Sequence, residues 1–356
     1  LYPDINFKHS NFPEYIKAIK EKVPNDLAVV KGELTSQDTD GWSTLINCAS
    51  SHIYLKQMNR KCESALENGA EPVRVLSSVL GQNYPSDELE YSWKKLMQNH
   101  PHDSICCCSV DEVQDEMATR FNKSKQVADY LVSEGKRYIA DKINTKEYEK
   151  YKNALPFVVF NTTGRERTSV VSVEIDVTRK SGWLKKCAYD LDEINVPNYK
   201  LIDSDGNSIP FKIEDLGVKF GYDLPKDKFR QPYMARRVRV TFEAENISAV
   251  GYKPYALVEG DTEKVTDTLV SSENCMENDA IRVEINKNGS LNVTDKASGR
   301  TYKGVAYYEE TGDLGNEYMY KMPEGSKAIT TQDTVAKIEL AEDEPYRAMY
   351  KITNTK

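Results

Sequence analysis

The sequence predicts an α+β multidomain protein: a three-helix bundle followed by antiparallel β-sandwich domains, with a stub of an N-terminal α/β domain in front. Two changes of pattern indicate this architecture. Apolar residues recur at helical spacing from Trp42 to about Lys142, and after Tyr151 they alternate with a period of two. The opening forty residues combine an amphipathic helix candidate, Phe12–Lys22, with the short apolar run Leu27–Val30, which is typical of the end of an α/β region.

Four domains follow from these changes of pattern. We assign residues 1–41 to the end of an α/β domain, 42–150 to the bundle, 151–262 to a small β-sandwich and 263–356 to the start of a large β-sandwich. The polar, Thr-rich stretch Gly260–Glu273 links the two β units. The chain starts at Leu1 rather than Met and stops after a strand-like run, so we expect a piece of a longer polypeptide.

Three long helices are predicted for the bundle. The first, Thr44–Asn68, has apolar residues spaced by three and four, and Glu71–Leu80 continues that pattern. Ser86 can cap the next helix, which reaches Gln98. Ser109 and Glu112 match a capping box that opens the long third helix. Burying the apolar stripes of three such helices together gives a bundle.

Short strands are predicted for the second half of the chain, at Phe157–Phe160, Ser169–Val177, Ala235–Phe242 and Ala280–Ile285. Turn signals rich in Asn, Asp and Gly separate them, at Asn161–Gly164, Asp203–Asn207, Asn288–Gly289 and Ala297–Gly299. Many short strands over this length favour antiparallel β-sandwiches.

Composition excludes two classes of partner. The net charge is −8 and no basic stripe is present, so we expect no nucleic-acid partner. No run of 18 apolar residues occurs, which argues against a membrane partner. Seven cysteines without framework spacing suit a reducing compartment, and a cytoplasmic location is therefore expected.

The most informative segment is the pentad Asn99–Asp103, which reads Asn-His-Pro-His-Asp and holds two of the four histidines. Pro101 disfavours helical geometry at His100, so the pentad is predicted to be the exit turn of the helix before it. An exposed imidazole beside a carboxylate suits a metal site or a sugar-binding site. A His-Asp pair in a loop is also common as ordinary surface, and local chemistry does not choose between these readings.

The pentad and the residues that follow it resemble the His-Asp motif of glycoside hydrolase family 38, the retaining, zinc-dependent α-mannosidases. Other stretches agree in the expected order. Ser50–Asn59 resembles the first helix of the family's three-helix middle domain, Phe157–Asn161 the strand that opens its β region, and Gly312–Tyr320 a glycine-punctuated segment of its large β domain. The likeness covers nearly the whole chain and is strongest to the bacterial members.

The resemblance implies that the residues of the active site come from more than one domain. Family members carry a His-X-Asp pair and an aspartate nucleophile on the N-terminal domain, and no His-X-Asp occurs here. No catalytic residue is therefore assigned in this chain. By resemblance, His102 is one of four Zn²⁺ ligands, Asp103 contacts a sugar hydroxyl and Tyr318 lines the sugar pocket. We expect the isolated chain neither to retain stoichiometric zinc nor to cleave mannosides.

Two positions depart from the family pattern. Cys107 stands where Gly is usual, and if that position takes a positive φ, its Cβ costs about 1 kcal/mol or more. His52 stands where Arg is usual.

Three further candidates receive a structural interpretation. Asp313 is predicted to stabilise its turn through an Asx hydrogen bond, and Glu33 is interpreted as a solvated loop residue. Three consecutive cysteines, Cys106–Cys108, cannot converge on one tetrahedral ion without backbone distortion.

The predicted function is hydrolysis of terminal α-mannosyl linkages on a mannose-containing oligosaccharide or glycoside. Two alternatives stay open: a mannosyl-glycerate-type hydrolase of the same family, and a non-catalytic carbohydrate-binding module. Linkage preference is not predicted, and the sequence leaves a homo-oligomer open.

Overall fold

The computed structural model describes residues 3–24, 26–29, 46–225, 227–261, 266–316, 318 and 320–355. Within these ranges the helices precede most of the strands. The α-helices are α1 (Phe12–Lys20), α2 (Ile53–Ala65), α3 (Glu71–Val79), α4 (Ser86–Met97), α5 (His102–Ile105), α6 (Asp111–Ala140) and α7 (Leu184–Asp192). Short 3₁₀ turns lie at Ile46–Ala49, Lys146–Tyr148 and Thr331–Asp333.

Helix α6 is the centre of the helical part. Its 30 residues pack against α2, α3 and α4, and α2 and α4 contribute buried apolar residues to the core that they share with α6. The shared core contains the fully or nearly fully buried side chains of Leu55, Leu66, Leu89, Leu96, Met117, Phe121 and Leu131. The predicted helical stripes therefore face one another, as expected for amphipathic helices that cannot bury their apolar face alone.

The first predicted helix is divided in the structure. It begins at Ile53 rather than Thr44, after a turn in which His52 adopts a left-handed conformation (φ 45, ψ 50). A π-helical turn, Leu66–Ala70, then joins α2 to α3. Apolar spacing gave no sign of these backbone changes because the buried stripe continues across them.

Pro72 explains how this break connects the helical part to the strands. Proline lacks the N–H that would bond the carbonyl four residues earlier in an α-helix. That carbonyl belongs to Asn68, and it accepts the Thr162 hydroxyl at 2.6 Å. A carbonyl released by one proline thus becomes a tie to the β region.

The predicted capping box of the long helix is wrong. Val110 is the N-cap residue and makes no side-chain cap, while the Ser109 hydroxyl is buried without a partner among the described residues. The Gln114 amide instead donates to the carbonyls of Ser109 (2.9 Å) and Cys107 (3.3 Å). Ser86 likewise does not cap α4, because the helix already begins at Ser86 and Pro85 occupies the cap position.

The described strands form five antiparallel sheets. The strands are β1 (Leu155–Asn161), β2 (Arg167–Lys180), β3 (Tyr199–Asp203), β4 (Ser208–Ile209), β5 (Phe211–Asp223), β6 (Gln231–Ile247), β7 (Gly251–Glu259), β8 (Val270–Ser272), β9 (Cys275–Glu277), β10 (Ile281–Ile285), β11 (Leu291–Asp295), β12 (Arg300–Val305), β13 (Glu309–Glu310), β14 (Ile329–Thr330), β15 (Lys337–Glu344) and β16 (Arg347–Thr353).

Two of these sheets pack face to face. One has the order β1-β7-β3-β4 and the other β2-β6-β5. Their shared core includes Leu201, Phe242, Tyr255 and Leu257, and the rings of Phe242 and Tyr255 meet edge to face with centroids 4.9 Å apart. This arrangement is the predicted sandwich, since each sheet buries one face against the other.

The sandwich strands are longer than predicted. Strand β2 has 14 residues and β6 has 17. The two strands stay paired beyond the predicted ends, where Lys180 lies opposite Met234 and Arg167 lies opposite Ile247. Helix α7, which lies against β6, was not foreseen among the strands.

The remaining sheets follow in order along the chain. A meander has the order β12-β11-β10-β9-β8, and β13-β14 and β15-β16 are two-stranded. All four predicted turns lie between strands. The Tyr346 hydroxyl donates to the carbonyl of Thr241 at 2.7 Å, which anchors the β15–β16 turn on the sandwich.

The fold is thus α+β, with helices and several antiparallel sheets, as predicted. Helix α1 confirms the helix candidate near Phe12, whereas Val30 and Glu33 lie outside the described residues. The α/β stub and the four domain boundaries stay predictions. None of the described helices is both long and apolar enough to cross a membrane.

Candidate functional site

The pentad leaves α4 in a turn, as its proline predicts, but its last two residues, His102 and Asp103, already belong to the short helix α5. Asn99 is fully buried and its side-chain amide donates to the carbonyl of Met117 on α6 at 3.0 Å. His100 lies on the surface, with Nε2 2.8 Å from Asn59 Oδ1. Pro101 is extended (φ −48, ψ 137) and precedes His102, the first residue of α5. Asn99 therefore fixes the turn on the bundle, a role that the sequence alone did not reveal.

His102 and Asp103 project outward side by side. Their side chains are 90% and 70% exposed, and His102 Nε2 lies 3.2 Å from Asp103 Oδ1. Neither side chain contributes to the buried core. An imidazole and a carboxylate placed in this way are open to a ligand that approaches from outside.

A cleft of about 440 Å³ lies beside this pair. Three separated segments form its walls: the turn before α2, the turn before α6, and the glycine-rich loop after β13. Its described lining residues are Ser50, Ser51, His52, Cys107, Cys108, Ser109, Asp111, Gln114, Asp313, Gly315 and Asn316. The cleft thus separates the helical part from a loop of the β region, two segments about 200 residues apart in sequence.

Cys108 connects the cleft to the exposed pair. It lines the cleft, and its thiol lies 3.6 Å from the Asp103 carbonyl and 3.7 Å from Asp103 Oδ1. His102, Asp103 and Tyr318 are not among the described lining residues, so they border the cleft rather than form its walls.

Lys56 holds two walls together. Its Nζ donates to the Ser51 carbonyl at 2.5 Å and to the Cys106 carbonyl at 3.4 Å, and it lies 3.2 Å from Cys107 Sγ. The two family departures, His52 and Cys107, both lie on these walls. Both are non-glycine residues with positive φ, 45° and 65°, a form of strain that clusters at functional sites.

The glycine-rich loop is organised by its own side chains. Asp313 Oδ1 accepts the N–H of Gly315 at 3.1 Å, which confirms the predicted Asx turn, and Asn316 Oδ1 accepts the N–H of Tyr318 at 2.8 Å. Tyr318 is 36% exposed. The family resemblance indicated Tyr318 as a pocket residue and the sequence predicted only a turn-stabilising role for Asp313, yet Asp313 lies on the cleft wall.

Several lining residues were not predicted. Asn316 lies within Gly312–Tyr320, the glycine-rich segment that carried the family resemblance, so the sequence could have indicated it as a cleft residue. Gln114 had no such signal, because a polar residue near the start of a long helix is ordinary. Across the ranges that the structure describes, no group of three or more His, Cys, Asp or Glu side chains is arranged to hold a metal ion.

Comparisons with known proteins give a consistent result. Residues 43–139 match the family profile for the alpha mannosidase middle domain. Residues 152–259 match the profile for the glycosyl hydrolases family 38 C-terminal domain 1. These two domains of one family together cover more than half of the chain. The chain belongs to glycosyl hydrolase family 38.

Relatives of this family 38 chain span its whole length. A protein of Halalkalibacterium halodurans named "Putative mannosylglycerate hydrolase" is 41% identical over 369 residues, which cover 100% of this chain and 40% of that protein. The crystal structure of an alpha-mannosidase from Enterococcus faecalis V583 matches 99% of this chain at 42% identity with a TM-score of 0.83. A second family 38 structure from Enterococcus faecalis matches 99% at 38% identity with a TM-score of 0.81.

This chain spans about 40% of the length of each of these relatives. The family 38 likeness therefore concerns a part of those proteins, and it includes the helical part, the sandwich and the glycine-rich loop.

Proposed function

We propose that this chain is part of a retaining, zinc-dependent α-mannosidase that hydrolyses terminal α-mannosyl linkages. The observation that supports this best is the exposed His102–Asp103 pair, held beside a cleft between the bundle and the glycine-rich loop. Likeness to an Enterococcus faecalis alpha-mannosidase at 42% identity over 99% of the chain supports the same function.

In this proposal His102 is one Zn²⁺ ligand and Asp103 accepts a hydrogen bond from a sugar hydroxyl. The fit rests on the donor types: imidazole is a preferred zinc ligand, and the ring is open to an approaching ion. Bound zinc would orient the sugar and stabilise charge. The other ligands and the carboxylates of retaining hydrolysis belong, by family resemblance, to the N-terminal domain, so no catalytic residue is assigned here.

Tyr318 is proposed to offer its partly exposed ring to the sugar, because apolar ring faces stack well on sugar C–H groups. Its backbone tie to Asn316 places it two residues beyond the cleft wall. A cytoplasmic location is also proposed, since all seven cysteines are free thiols in the structure, which fits a reducing compartment.

A chimera tests this proposal. The segment of the Enterococcus faecalis alpha-mannosidase that corresponds to this chain is replaced by this chain, and hydrolysis of an aryl α-mannoside and bound zinc are measured. We expect activity and zinc to be retained. His102→Ala in the chimera should abolish both, whereas His100→Ala, the other exposed imidazole of the pentad, should leave them nearly unchanged.

The outcome that contradicts the proposal is an active chimera whose zinc content and turnover survive His102→Ala. Because the His102 side chain is 90% exposed, its removal should not unfold the chain, so loss of activity would report on the site. The isolated chain should bind less than one equivalent of zinc and leave aryl mannosides intact.

A second candidate is a mannosylglycerate-type hydrolase. The name of the Halalkalibacterium halodurans relative, which is 41% identical over this whole chain, favours it. Assaying the chimera on mannosylglycerate beside the aryl mannoside discriminates between the two substrates. A chimera that binds mannose without cleaving either substrate would instead support a carbohydrate-binding module.

A further inference from the structure

A cluster of cysteines lies at one wall of the cleft and has no role in the proposed function. Cys48 belongs to the 3₁₀ turn Ile46–Ala49 and is only 6% exposed. Cys106 ends α5 and is half-buried. Cys107 and Cys108 follow it and line the cleft. Of the seven cysteines, four therefore meet in one region.

Two contacts show that the segments carrying Cys48 and Cys106 lie against each other. Lys56 Nζ bonds the carbonyl of Ser51, three residues after Cys48, and the carbonyl of Cys106 itself. Ser50 and Ser51 also share the cleft with Cys107 and Cys108. Two chain segments more than 50 residues apart in sequence are thus held in contact beside one ammonium group.

Burial and the contact with the Cys106 thiol raise the pKa of Cys48, and the nearby Cys108 thiol adds to this effect. The raised pKa makes Cys48 the less readily ionised thiol, so it is not the first to react with an oxidant. Its sulfur lies within hydrogen-bonding reach of the Cys106 thiol, and this position lets Cys48 attack the Cys106 sulfur in a second step, once that sulfur has been oxidised.

We propose that Cys48 and Cys106 form a redox-responsive dithiol that hydrogen peroxide converts to a disulfide across the base of the cleft. The half-buried Cys106 thiolate attacks one peroxide oxygen, the O–O bond breaks, and the departing hydroxide takes a proton to become water. Cys48 then attacks the sulfenic sulfur of Cys106, the S–S bond forms, and a second water leaves. The two thiols lose two electrons and peroxide gains them.

The disulfide would tie the 3₁₀ turn to the end of α5, next to the exposed His102–Asp103 pair. The turn that carries Cys107 and Cys108 would be fixed in place as a result. The other described thiols offer internal controls: Cys62 is buried in the bundle and donates to the carbonyl of Phe121 at 3.2 Å, so it should remain reduced.

The test treats the reduced full chain with hydrogen peroxide, blocks free thiols and maps tryptic peptides without reduction. The expected product has lost two hydrogen atoms and links the peptide 32–56, which holds Cys48, to the peptide 96–120, which holds Cys106–Cys108. Dithiothreitol should reverse the link.

Single variants identify the partner cysteine within the second peptide. Cys48→Ser and Cys106→Ser should each abolish the link, whereas Cys108→Ser should retain it. A link that survives Cys106→Ser, a link that depends on Cys108, or a treated chain in which Cys48 remains free would each overturn the proposal. If a serine variant fails to fold, fragmentation of the linked peptide from the unsubstituted chain locates the bond, and a bond to Cys107 or Cys108 rather than Cys106 would overturn the proposal.

Discussion

At the residue scale, the positive φ of Cys107 is the clearest result that sequence reasoning anticipated. The family resemblance marked this position as one where glycine is usual, and the structure gives φ 65. Cys107 is also 3% exposed and belongs to the bundle core. Its Cβ is strained while its sulfur is well packed, so the two effects oppose each other.

Comparing Cys107→Gly with Cys107→Ala separates these effects. Both variants lose the sulfur, and they differ only in the Cβ at a left-handed position. We expect the Gly variant to be more stable than the Ala variant by about 1 kcal/mol, measured by urea unfolding. Equal stability, or a more stable Ala variant, would show that the turn relaxes around the Cβ.

The exposed pair illustrates what residue chemistry could not decide. His102 and Asp103 were predicted from the pentad, but an exposed His-Asp pair occurs on many surfaces. Cys108 contacts Asp103 locally, and only the tertiary structure shows that Cys108 also lines a cleft with residues distant in the chain, such as Asp313. The roles of His102 and Asp103 as zinc ligand and sugar contact stay predictions.

At the element scale, helical periodicity located α4 and α6 well because each buries one continuous stripe. The division of the first helix was missed, since the π-helical turn Leu66–Ala70 keeps the stripe buried. Close contact between α3 and α6 was also invisible in the sequence. It depends on Gly135, where an added Cβ would lie 2.6 Å from Val73 Cγ1 and 3.2 Å from Arg74 Cδ.

Gly135→Ala should therefore destabilise the bundle. Alanine favours helix by up to about 1 kcal/mol over glycine, but the overlap with Val73 should outweigh that gain, as overpacking costs about 1–3 kcal/mol. We expect a net loss of about 1 kcal/mol in the free energy of unfolding. Gly164→Ala, where the added Cβ meets nothing within 4 Å, is the control and should change little. A stabilised Gly135→Ala variant would contradict the close contact.

At the scale of the whole molecule, a small core joins the helical part to the sandwich. Tyr148, after α6, packs with Ile202, Ala256 and Val258 of the sheet that contains β3 and β7. The hydroxyls of Tyr148 and of nearby Tyr255 are buried and have no hydrogen-bond partner within the described part of the chain. Burial and the carboxylate of Asp203 raise the pKa of Tyr255 to about 12.

The sandwich core around Tyr255 should weaken in alkali. A pKa raised above its ordinary value of 10.0 gives stability that is complete below pH 10 and is lost as the pH rises towards 12, because the unfolded chain ionises first. At pH 11, ionisation of Tyr255 should cost about 1 kcal/mol of stability. Tyr255→Phe should match the original chain at pH 7 and exceed it at pH 11 in urea unfolding.

Exposed Tyr130 provides the control, since Tyr130→Phe should not alter the pH dependence. If Tyr255→Phe loses as much stability as the original chain between pH 7 and pH 11, the hydroxyl of Tyr255 ionises equally well in the folded state, and its burial in the sandwich core is not responsible.

The sequence by itself determined the fold class, the order of helices and strands, and the family, because periodicity and local motifs are properties of neighbouring residues. It also located the pentad and the Asp313 turn, where proline and aspartate act on their own backbone. Only the tertiary structure decided which segments meet. It brings His52, Cys107 and Asp313 to one cleft, and it places the Thr162 hydroxyl against the Asn68 carbonyl that Pro72 leaves without a helical partner. It also brings Cys48 beside Cys106. These contacts join residues far apart in the chain, and their geometry depends on how the whole molecule packs.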